Sequence, residues 1–357
     1  MMNFSSKIFY NKKILIYGIG KSGLSSYFFL KKNNYINLYD DNKKIFENKS
    51  FKKIFLEKNK IYQIKFDYIV ISPGINIYNC NLKNFLKKNL EKIVTDLDIF
   101  YSHYSSNKTI AITGTNGKST TVKLLYMILK NHNKDVRLCG NIGKPILLEK
   151  NVSRKTIFVI EASSYQIEYS NIFKTNYAMI LNISPDHLER HGSIKNYVKA
   201  KFKLVQNQSK KDFAYINVKE KYLSKIMKAS RIFSKIINVN LNKTKKFKKK
   251  ITNSYFLTKG NQENLSFIFS ISKKLNLNNK IILQTINKFK GLKFRQEIIY
   301  SSNKITCIND SKATSFASSI NILKSLEKVF WLVGGIPKLG DKFTLKKNEC
   351  KNICVYI

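Results

Sequence analysis

The stretch that decides the fold lies in the first half of the chain and reads Thr109-Ile-Ala-Ile-Thr113 followed by Gly114-Thr-Asn-Gly117-Lys118-Ser119-Thr120. Residues 109–113 predict a buried strand, and the residues after the turn predict a helix to about Asn131. A glycine-rich turn in this setting binds phosphate, because backbone N–H groups and the helix N-terminus face the anion. Lys118 would neutralise the β- and γ-phosphates, and the Ser119 hydroxyl can ligate Mg²⁺. The competing interpretation is a glycine turn with a chance lysine beside it.

A second glycine-rich turn lies near the N-terminus, between predicted strands at residues 13–17 and 36–39. A helix to about Lys32 completes a strand–helix–strand unit. Another buried strand, at residues 67–71, leads into Ser72-Pro73-Gly74, whose Pro-Gly pair forces a turn at the carboxyl end of the strand. Ligand-binding loops of parallel sheets lie at such strand ends.

The rest of the chain continues to alternate strands and helices, a pattern that predicts parallel sheets. The predicted strands span residues 156–161, 177–183, 297–300, 304–308, 329–333 and 353–357, and the predicted helices span residues 193–208, 261–274, 280–290 and 316–325. We therefore expect an α/β protein of three domains. They are a Rossmann-like domain over residues 1–100, a central ATP-binding domain over residues 101–290, and an incomplete Rossmann-like domain over residues 291–357.

The composition is that of a globular protein, with 43% hydrophobic residues and a net charge of +43. This charge favours polyanions, but the lysines are spread along the whole chain, so we expect no dedicated nucleic-acid surface. No apolar run approaches the roughly 20 residues that span a bilayer, and the N-terminus lacks the apolar segment of a signal peptide. Five scattered cysteines argue against a disulfide framework. We expect a soluble, cytoplasmic monomer.

Two further motifs favour other chemistry. Gly18-x-Gly20-x-x-Gly23 after a strand, with Asp40 at the end of the next strand, fits the dinucleotide fingerprint of an NAD enzyme. A hydride-transfer enzyme, however, needs no second phosphate loop. His187 and His191 stand four residues apart, as zinc ligands often do, but their order H-L-E-R-H departs from H-E-x-x-H. We therefore expect neither NAD nor zinc.

The phosphate loop itself, Thr113 to Thr120, resembles that of the Mur ligases and of their relatives, the folylpolyglutamate synthetases. The resemblance continues in order along the chain. Glu161-Ala-Ser-Ser-Tyr-Gln-Ile-Glu168 is similar to the segment whose first glutamate ligates Mg²⁺, and Asn182-Ile-Ser-Pro-Asp-His187 to the stretch whose histidine approaches a second metal. Tyr197-Val-Lys-Ala-Lys201 is similar to the helix whose lysine forms a carbamate with CO₂. The resemblance implies two Mg²⁺ ions, bound through Ser119, Glu161, His187 and carbamylated Lys201.

The predicted elements over residues 291–357, called here the third series, indicate the branch of the family. Asp310-Ser-Lys-Ala-Thr314 closely resembles the signature of the Mur ligases that add D-glutamate. The stretch from Gly291 to Glu297 resembles one that places an arginine at the nucleotide, although Pro and His are replaced. Gly334-Gly-Ile-Pro-Lys338 resembles the turn whose lysine helps to bind D-glutamate. Asn261 and Asn264 fit an adenine-side pattern in which glycine stands for the expected histidine.

The resemblance implies an ATP-dependent, amide-forming ligase that joins D-glutamate to UDP-N-acetylmuramoyl-L-alanine through an acyl phosphate, in peptidoglycan precursor synthesis. The implied catalytic residues are Lys118, His187, Lys201 and Lys312, and the implied ATP-binding residues are Gly114, Thr115, Asn116, Gly117, Lys118, Ser119, Thr120, Asn264, Arg295 and Asp310. The implied substrate-binding residues are Ser22, Asp40, Ser72, Gly74, Asn141, Ser163, Thr314 and Lys338. A folylpolyglutamate-type ligase and a non-catalytic, truncated or polyanion-binding chain are the alternatives.

Overall fold

The computed structural model describes residues 8–42, 44, 51–242, 247, 249–256, 258–336 and 341–357. The strands of the first sheet are β1 (Lys13–Tyr17), β2 (Tyr35–Tyr39), β3 (Tyr68–Ile71) and β4 (Ile93–Val94). They are parallel and lie in the order β2-β1-β3-β4. The helices around them are α1 (Lys21–Leu30), α2 (Lys58–Ile61), α3 (Lys83–Lys87) and α4 (Asp96–Tyr104). The predicted strand–helix–strand opening and the strand before Ser72 are confirmed.

A second, larger sheet occupies the middle of the chain. Its strands are β5 (Lys108–Thr113), β6 (Val136–Gly140), β7 (Ile157–Glu161), β8 (Tyr177–Ile180), β9 (Phe213–Ile216) and β10 (Lys235–Asn238). They are parallel, in the order β10-β9-β8-β5-β7-β6. The sequence did not predict β6, β9 and β10: β6 and β10 are short edge strands interrupted by polar or charged residues, and β9 is an apolar run of only four residues.

The helices of the second unit are α5 (Lys118–Asn131), α6 (Ser164–Glu168), α7 (Leu188–His191), α8 (Ile194–Gln206), α9 (Lys221–Lys228), α10 (Lys259–Lys274) and α11 (Asn279–Asn287). Ser193, at the start of the predicted helix over residues 193–208, is the N-cap of α8, since its hydroxyl oxygen accepts a hydrogen bond from the Asn196 N–H at 3.2 Å. The predicted helix over residues 280–290 ends three residues early, at Asn287.

Helix α4 joins the first two sheets through a shared core. Phe100 of α4 packs against Phe158 of β7, with ring centroids 4.7 Å apart. Both rings belong to a buried apolar cluster that contains residues of both sheets, including Ile16 and Ile160. The opposite face of the second sheet packs against α5, α10 and α11 in a separate cluster. Burial of this apolar surface from water is the main favourable term that holds the two units together.

The last part of the chain forms smaller elements. They are the antiparallel pair β11 (Glu297–Ser301) and β12 (Thr306–Asn309), helix α12 (Phe316–Leu323), and the parallel pair β13 (Val329–Leu332) and β14 (Ile353–Tyr356). Large apolar side chains stay exposed on the last two strands, with Leu332 82% exposed. The expected α/β class with parallel sheets is confirmed. No helix in the described part of the chain is long and apolar enough to cross a bilayer.

Candidate active site

The carboxyl ends of three neighbouring strands bring separate motifs to one place. Strand β5 lies between β7 and β8 in the sheet. After β5 the chain adds β6 and β7 on one side of it and then β8 to β10 on the other side, so the strand order reverses at β5. The predicted phosphate loop follows β5, Glu161 ends β7, and residues 181–187 follow β8. Ligands of parallel α/β sheets bind outside the strand ends at such a point. The fold therefore supports the position predicted for the site.

The loop after β5 depends on glycine at its helix end. Gly117, the N-cap of α5, has a left-handed backbone with a φ of +82°, and a Cβ atom there would lie 2.4 Å from Asn264 Oδ1. Glycine is the residue that fits without moving Asn264. The Nζ atom of Lys118 donates to the carbonyl oxygens of Gly114 at 2.9 Å and Thr115 at 2.8 Å. The predicted catalytic ammonium thus lies over its own loop.

The segment after β8 fixes the shape of the loop. Asn182 accepts a hydrogen bond from the Asn116 N–H at 2.8 Å and donates to the Asn116 carbonyl at 3.0 Å. The Thr115 hydroxyl lies 3.2 Å from the Tyr197 hydroxyl and accepts from the Ser184 N–H at 3.0 Å. Sequence reasoning placed Asn182 inside a motif but gave neither it nor Tyr197 a role. Only their contacts identify them as supports of the loop.

Glu161 offers an oxygen that suits a metal ion. Its side chain is buried, with 1% of the residue exposed, and its Oε1 accepts a hydrogen bond from Asn141 Nδ2 at 3.0 Å. Its Oε2 is buried and has no hydrogen-bond partner among the described residues. A buried carboxylate oxygen without a donor is costly unless a cation or another donor satisfies it. Beside a phosphate loop, a hard cation such as Mg²⁺ meets that need.

Lys201 is a buried lysine on α8 that faces the loop. It is 2% exposed, donates to the Gly114 carbonyl at 2.8 Å, and lies 4.5 Å from the centre of the Tyr197 ring. Burial, reinforced by the nearby Lys118, lowers the pKa of Lys201 well below its usual value, against the opposing charges of Asp186 and Glu161. The uncharged amine favoured by this environment is the form that can attack CO₂.

His187 lies at the start of the one-turn helix α7, with a left-handed φ of +54°. Its Nδ1 is 2.9 Å from the Tyr165 hydroxyl, and its Nε2 is 3.3 Å from Asp186 Oδ2. His191 points elsewhere, because its Nε2 lies 3.0 Å from the Ser164 hydroxyl. Among the residues that the structure describes, no group of three or more His, Cys, Asp or Glu side chains is placed to hold a metal ion.

The side of the loop that is predicted to hold the nucleotide is formed by α10 and the residues around it. The Thr120 hydroxyl is 3.1 Å from the Tyr255 hydroxyl, and Asn264, whose amide lies against Gly117, donates to Asn261 Oδ1 at 3.4 Å. Ser119 and Thr120 are buried in the first turn of α5. The third series thus starts beside α10, because Asn261 also donates to Gln296 Oε1 at 3.0 Å.

Asp310 and Arg295 lie together near this side. Asp310 Oδ1 accepts a hydrogen bond from the Gln296 N–H at 3.1 Å. Burial raises the pKa of Asp310 from 3.8 to about 6, although that hydrogen bond and the charge of Arg295 oppose the shift. In contrast, the side chains of Lys312 and Thr314 are exposed. Lys338 lies outside the described residues.

One contact between the third series and the loop was not foreseen. The Ser318 hydroxyl of α12 donates to Asn116 Oδ1 of the phosphate loop at 2.9 Å. No sequence pattern marks Ser318, because one serine in a helix carries no information about a loop about 200 residues away. The contact shows that the start of α12 reaches the loop.

The N-terminal glycine turn is held by the residues predicted to bind substrate. Asp40 Oδ2 accepts from the Ile19 N–H at 2.7 Å, and the Ser72 hydroxyl donates to the Gly18 carbonyl at 2.6 Å. The Ser22 hydroxyl, at the start of α1, donates to Asp96 Oδ2 at 2.9 Å. These three residues, which come from separate strands and a helix, lie around one turn.

Three other residues predicted to bind substrate, Gly74, Asn141 and Ser163, follow the ends of β3, β6 and β7. Asn141 binds Glu161, and Ser163 is the N-cap of α6, accepting from the Gln166 N–H at 3.3 Å. The Gly74 carbonyl accepts from Arg190 Nη1 at 3.4 Å. Sequence reasoning gave Arg190 no role, although its side chain connects the first sheet to α7.

Comparisons with known proteins bear on this architecture. The Mur ligase middle domain matches residues 112–282. The fold resembles that of MurF ligase from Thermotoga maritima in complex with ADP, with a TM-score of 0.54 and 14% identity over 95% of this chain and 78% of that chain. The family match and the fold are those of the Mur ligase class.

Two relatives specify the family further. The chain is 34% identical to UDP-N-acetylmuramoylalanine–D-glutamate ligase of Rickettsia prowazekii (strain Madrid E), over 92% of this chain and 78% of that protein. It is 33% identical to the ligase of the same name from Elusimicrobium minutum (strain Pei191), over 98% of this chain and 84% of that protein. The chain belongs to the UDP-N-acetylmuramoylalanine–D-glutamate ligase family.

Proposed function

We propose that this chain is an ATP-dependent ligase that adds D-glutamate to UDP-N-acetylmuramoyl-L-alanine in peptidoglycan precursor synthesis. A carboxylate is too poor an electrophile to form an amide directly. ATP therefore phosphorylates the terminal carboxylate of the UDP substrate, and the amine of D-glutamate attacks the resulting acyl phosphate and releases phosphate. The observation that carries the proposal is the meeting of the phosphate loop, the buried Glu161 and the buried Lys201 at one sheet edge.

ATP would bind with its phosphates on the loop after β5. Backbone N–H groups from Gly114 to Thr120 and the N-terminus of α5 would face the phosphate oxygens. Lys118, released from the two loop carbonyls that it now contacts, would reach the transferring phosphoryl group. Asn264, Arg295 and Asp310 would hold the nucleoside side, and Lys312 would add charge stabilisation from the third series.

The residues present fit a divalent metal site. The unpartnered Oε2 of Glu161 is the ligand that most needs a cation, and Ser119, His187 and a carbamate on Lys201 would complete two Mg²⁺ sites. When bound, Mg²⁺ would neutralise charge on the phosphate oxygens. The uncharged amine of Lys201 would gain its carbamate by attack of Nζ on CO₂ with loss of a proton, which would supply an anionic ligand.

The UDP substrate and D-glutamate would enter from opposite sides of the loop. Ser22, Asp40, Ser72 and Gly74 would bind the uridine diphosphate portion at the N-terminal turn, with Asn141 and Ser163 nearer the reacting carboxylate. Thr314 and Lys338 would bind D-glutamate. These binding regions correspond to three proposed domains, over residues 1–100, 101–290 and 291–357. The proposed enzyme is a cytoplasmic monomer, and it has no membrane or nucleic-acid partner.

An assay of ADP release tests the function directly. The protein would be incubated with ATP, Mg²⁺ and UDP-N-acetylmuramoyl-L-alanine, with or without D-glutamate. We expect sustained ADP release, and a product heavier by one glutamyl residue in mass spectrometry, only when both substrates are present. Reaction with a folate in place of the UDP substrate, or none with the intended pair, would contradict the proposal.

A further inference from the structure

Arg190 contacts two separate parts of the candidate site at once. Its Nη2 donates to the Ile75 carbonyl at 2.6 Å, and its Nη1 donates to the Gly74 carbonyl at 3.4 Å. Both carbonyls belong to residues 72–75, called here the 72–75 turn, which follows β3 of the first sheet. Arg190 itself belongs to α7, which follows β8 of the second sheet.

The guanidinium of Arg190 is buried beside a carboxylate and two aromatic rings. The side chain is 7% exposed, and Glu168 Oε2 lies 3.4 Å from its Nη2. The Tyr165 and Tyr169 rings lie 5.0 Å and 5.6 Å from its central carbon. A carboxylate and two aromatic faces offset the cost of burying the charge. Arginine is suited to this task because its fork of donors can meet adjacent carbonyls while its plane stacks on a ring.

Tyr165 continues the chain of contacts to the proposed metal ligand. The same tyrosine that stacks with Arg190 places its hydroxyl 2.9 Å from His187 Nδ1. The two rings are also close, with centroids 5.0 Å apart. The tyrosine therefore fixes the orientation of the imidazole, as partners of metal-binding histidines commonly do. The contacts run without a gap from the 72–75 turn to His187.

We propose that Arg190 is a positioning residue that couples the 72–75 turn to His187 through Tyr165, so that UDP-substrate binding and the metal site are held in one arrangement. The inference rests on the proposed function only in assigning the 72–75 turn to the UDP substrate and His187 to Mg²⁺. A residue that merely braced the two sheets would affect stability without linking these two events.

Three substitutions and one control separate the links. Arg190→Met removes the donors, Arg190→Lys keeps the charge but loses the planar fork, and Tyr165→Phe keeps the ring but removes the hydroxyl that contacts His187. Lys203→Met is the matched control, because this half-buried cation also contacts the 168–171 region, donating to the Glu168 carbonyl at 3.1 Å and Asn171 Oδ1 at 2.8 Å. It has no contact with the 72–75 turn that would be lost.

The first measurement is calorimetric binding of UDP-N-acetylmuramoyl-L-alanine without ATP or Mg²⁺. We expect Arg190→Met to raise the dissociation constant about tenfold, the equivalent of losing one hydrogen bond from a charged donor. Arg190→Lys should recover only part of this loss. Tyr165→Phe should bind within about twofold of the wild type, but should need about tenfold more Mg²⁺ for half-maximal ADP release. Lys203→Met should match the wild type in both measurements.

The second measurement is hydrogen–deuterium exchange of the ligand-free protein, which does not depend on catalysis. Arg190→Met should speed amide exchange both in peptides covering residues 72–79 and in those covering residues 184–191, whereas Lys203→Met should change neither. Faster exchange only near residue 190, or unchanged substrate affinity, would overturn the coupling. If Arg190→Met does not fold, the Lys variant is judged by the same criteria. If the wild type neither binds nor turns over the UDP substrate, the proposed function fails, while the exchange experiment still tests whether Arg190 links residues 72–79 to residues 184–191.

Discussion

The end of the central sheet and the third series contribute to the same candidate site in different ways. Glu161 and Lys201 are 1% and 2% exposed and are locked among loop, strand and helix. Lys312 and Thr314, from the signature that indicates D-glutamate, are exposed. Packing therefore fixes the proposed phosphate-transfer half of the site, whereas the proposed acceptor half has these two side chains at the surface. Substitutions at the exposed Lys312 and Thr314 should therefore change mainly chemistry, whereas those at the buried Glu161 and Lys201 must also preserve the packing.

Among the substitutions considered, we expect Lys118→Ala to have the largest effect on activity. Removing the ammonium leaves the phosphoryl group without its nearest protein cation, and we expect ADP release to fall by at least about 10³-fold. Lys123→Ala, on the same helix, should retain activity. Full substrate-dependent turnover by Lys118→Ala would rule out the mechanism proposed above.

Lys201→Met tests whether the buried amine acts as a carbamate. The apolar replacement suits the buried site, so the protein should fold, but we expect activity to fall by roughly 100-fold because a metal ligand is lost. Wild-type activity should also fall in CO₂-depleted buffer and return when bicarbonate is added. The exposed Lys199→Met on the same helix serves as control. If wild-type activity does not change when CO₂ is depleted, the proposed carbamate is ruled out.

Gly117→Ala tests whether the backbone conformation of the phosphate loop is needed for ATP binding. The left-handed φ and the 2.4 Å approach of Asn264 Oδ1 oppose any Cβ atom, and we expect ATP affinity to fall about tenfold. The double variant Gly117→Ala/Asn264→Ala removes the clashing amide of Asn264 and keeps a good helix former in α10, but it leaves the φ strain and also removes a proposed ATP contact. In thermal unfolding it should therefore be more stable than Gly117→Ala alone. Equal stability would show that Asn264 moves aside freely.

The smallest predicted effect is on stability and comes from Asp310 of the third series. Its folded pKa of about 6 exceeds the ordinary 3.8, so the folded state binds the proton more tightly and its stability falls as the pH rises from about 4 to about 6. Asp310→Asn should remove this loss, which we expect to be about 1 kcal/mol after allowance for partial exposure. Unfolding by urea at pH 4.5 and pH 7 measures it, with the exposed Glu327→Gln as control. An identical pH dependence in wild type and Asp310→Asn would contradict the prediction.

Much of the site was predictable because its motifs are local. The strand, glycine turn and helix at residues 109–131 are visible in apolar runs and in Gly117, whose conformation few other residues adopt. The roles of Asn182, Tyr197, Arg190 and Ser318 were not predictable. Each of these side chains contacts residues that are distant in the chain. The local preferences of a residue such as asparagine or serine do not depend on which distant residue it contacts.

The sequence by itself determined the α/β class, the phosphate loop and the family, since strand composition, glycine spacing and short motifs are properties of neighbouring residues. Only the tertiary structure decided that Glu161 keeps an unpartnered oxygen, that Lys201 is buried enough to favour an uncharged amine, and that Arg190 joins two sheets. Burial, desolvation and contacts between distant segments depend on how the elements pack, and no local pattern records that packing.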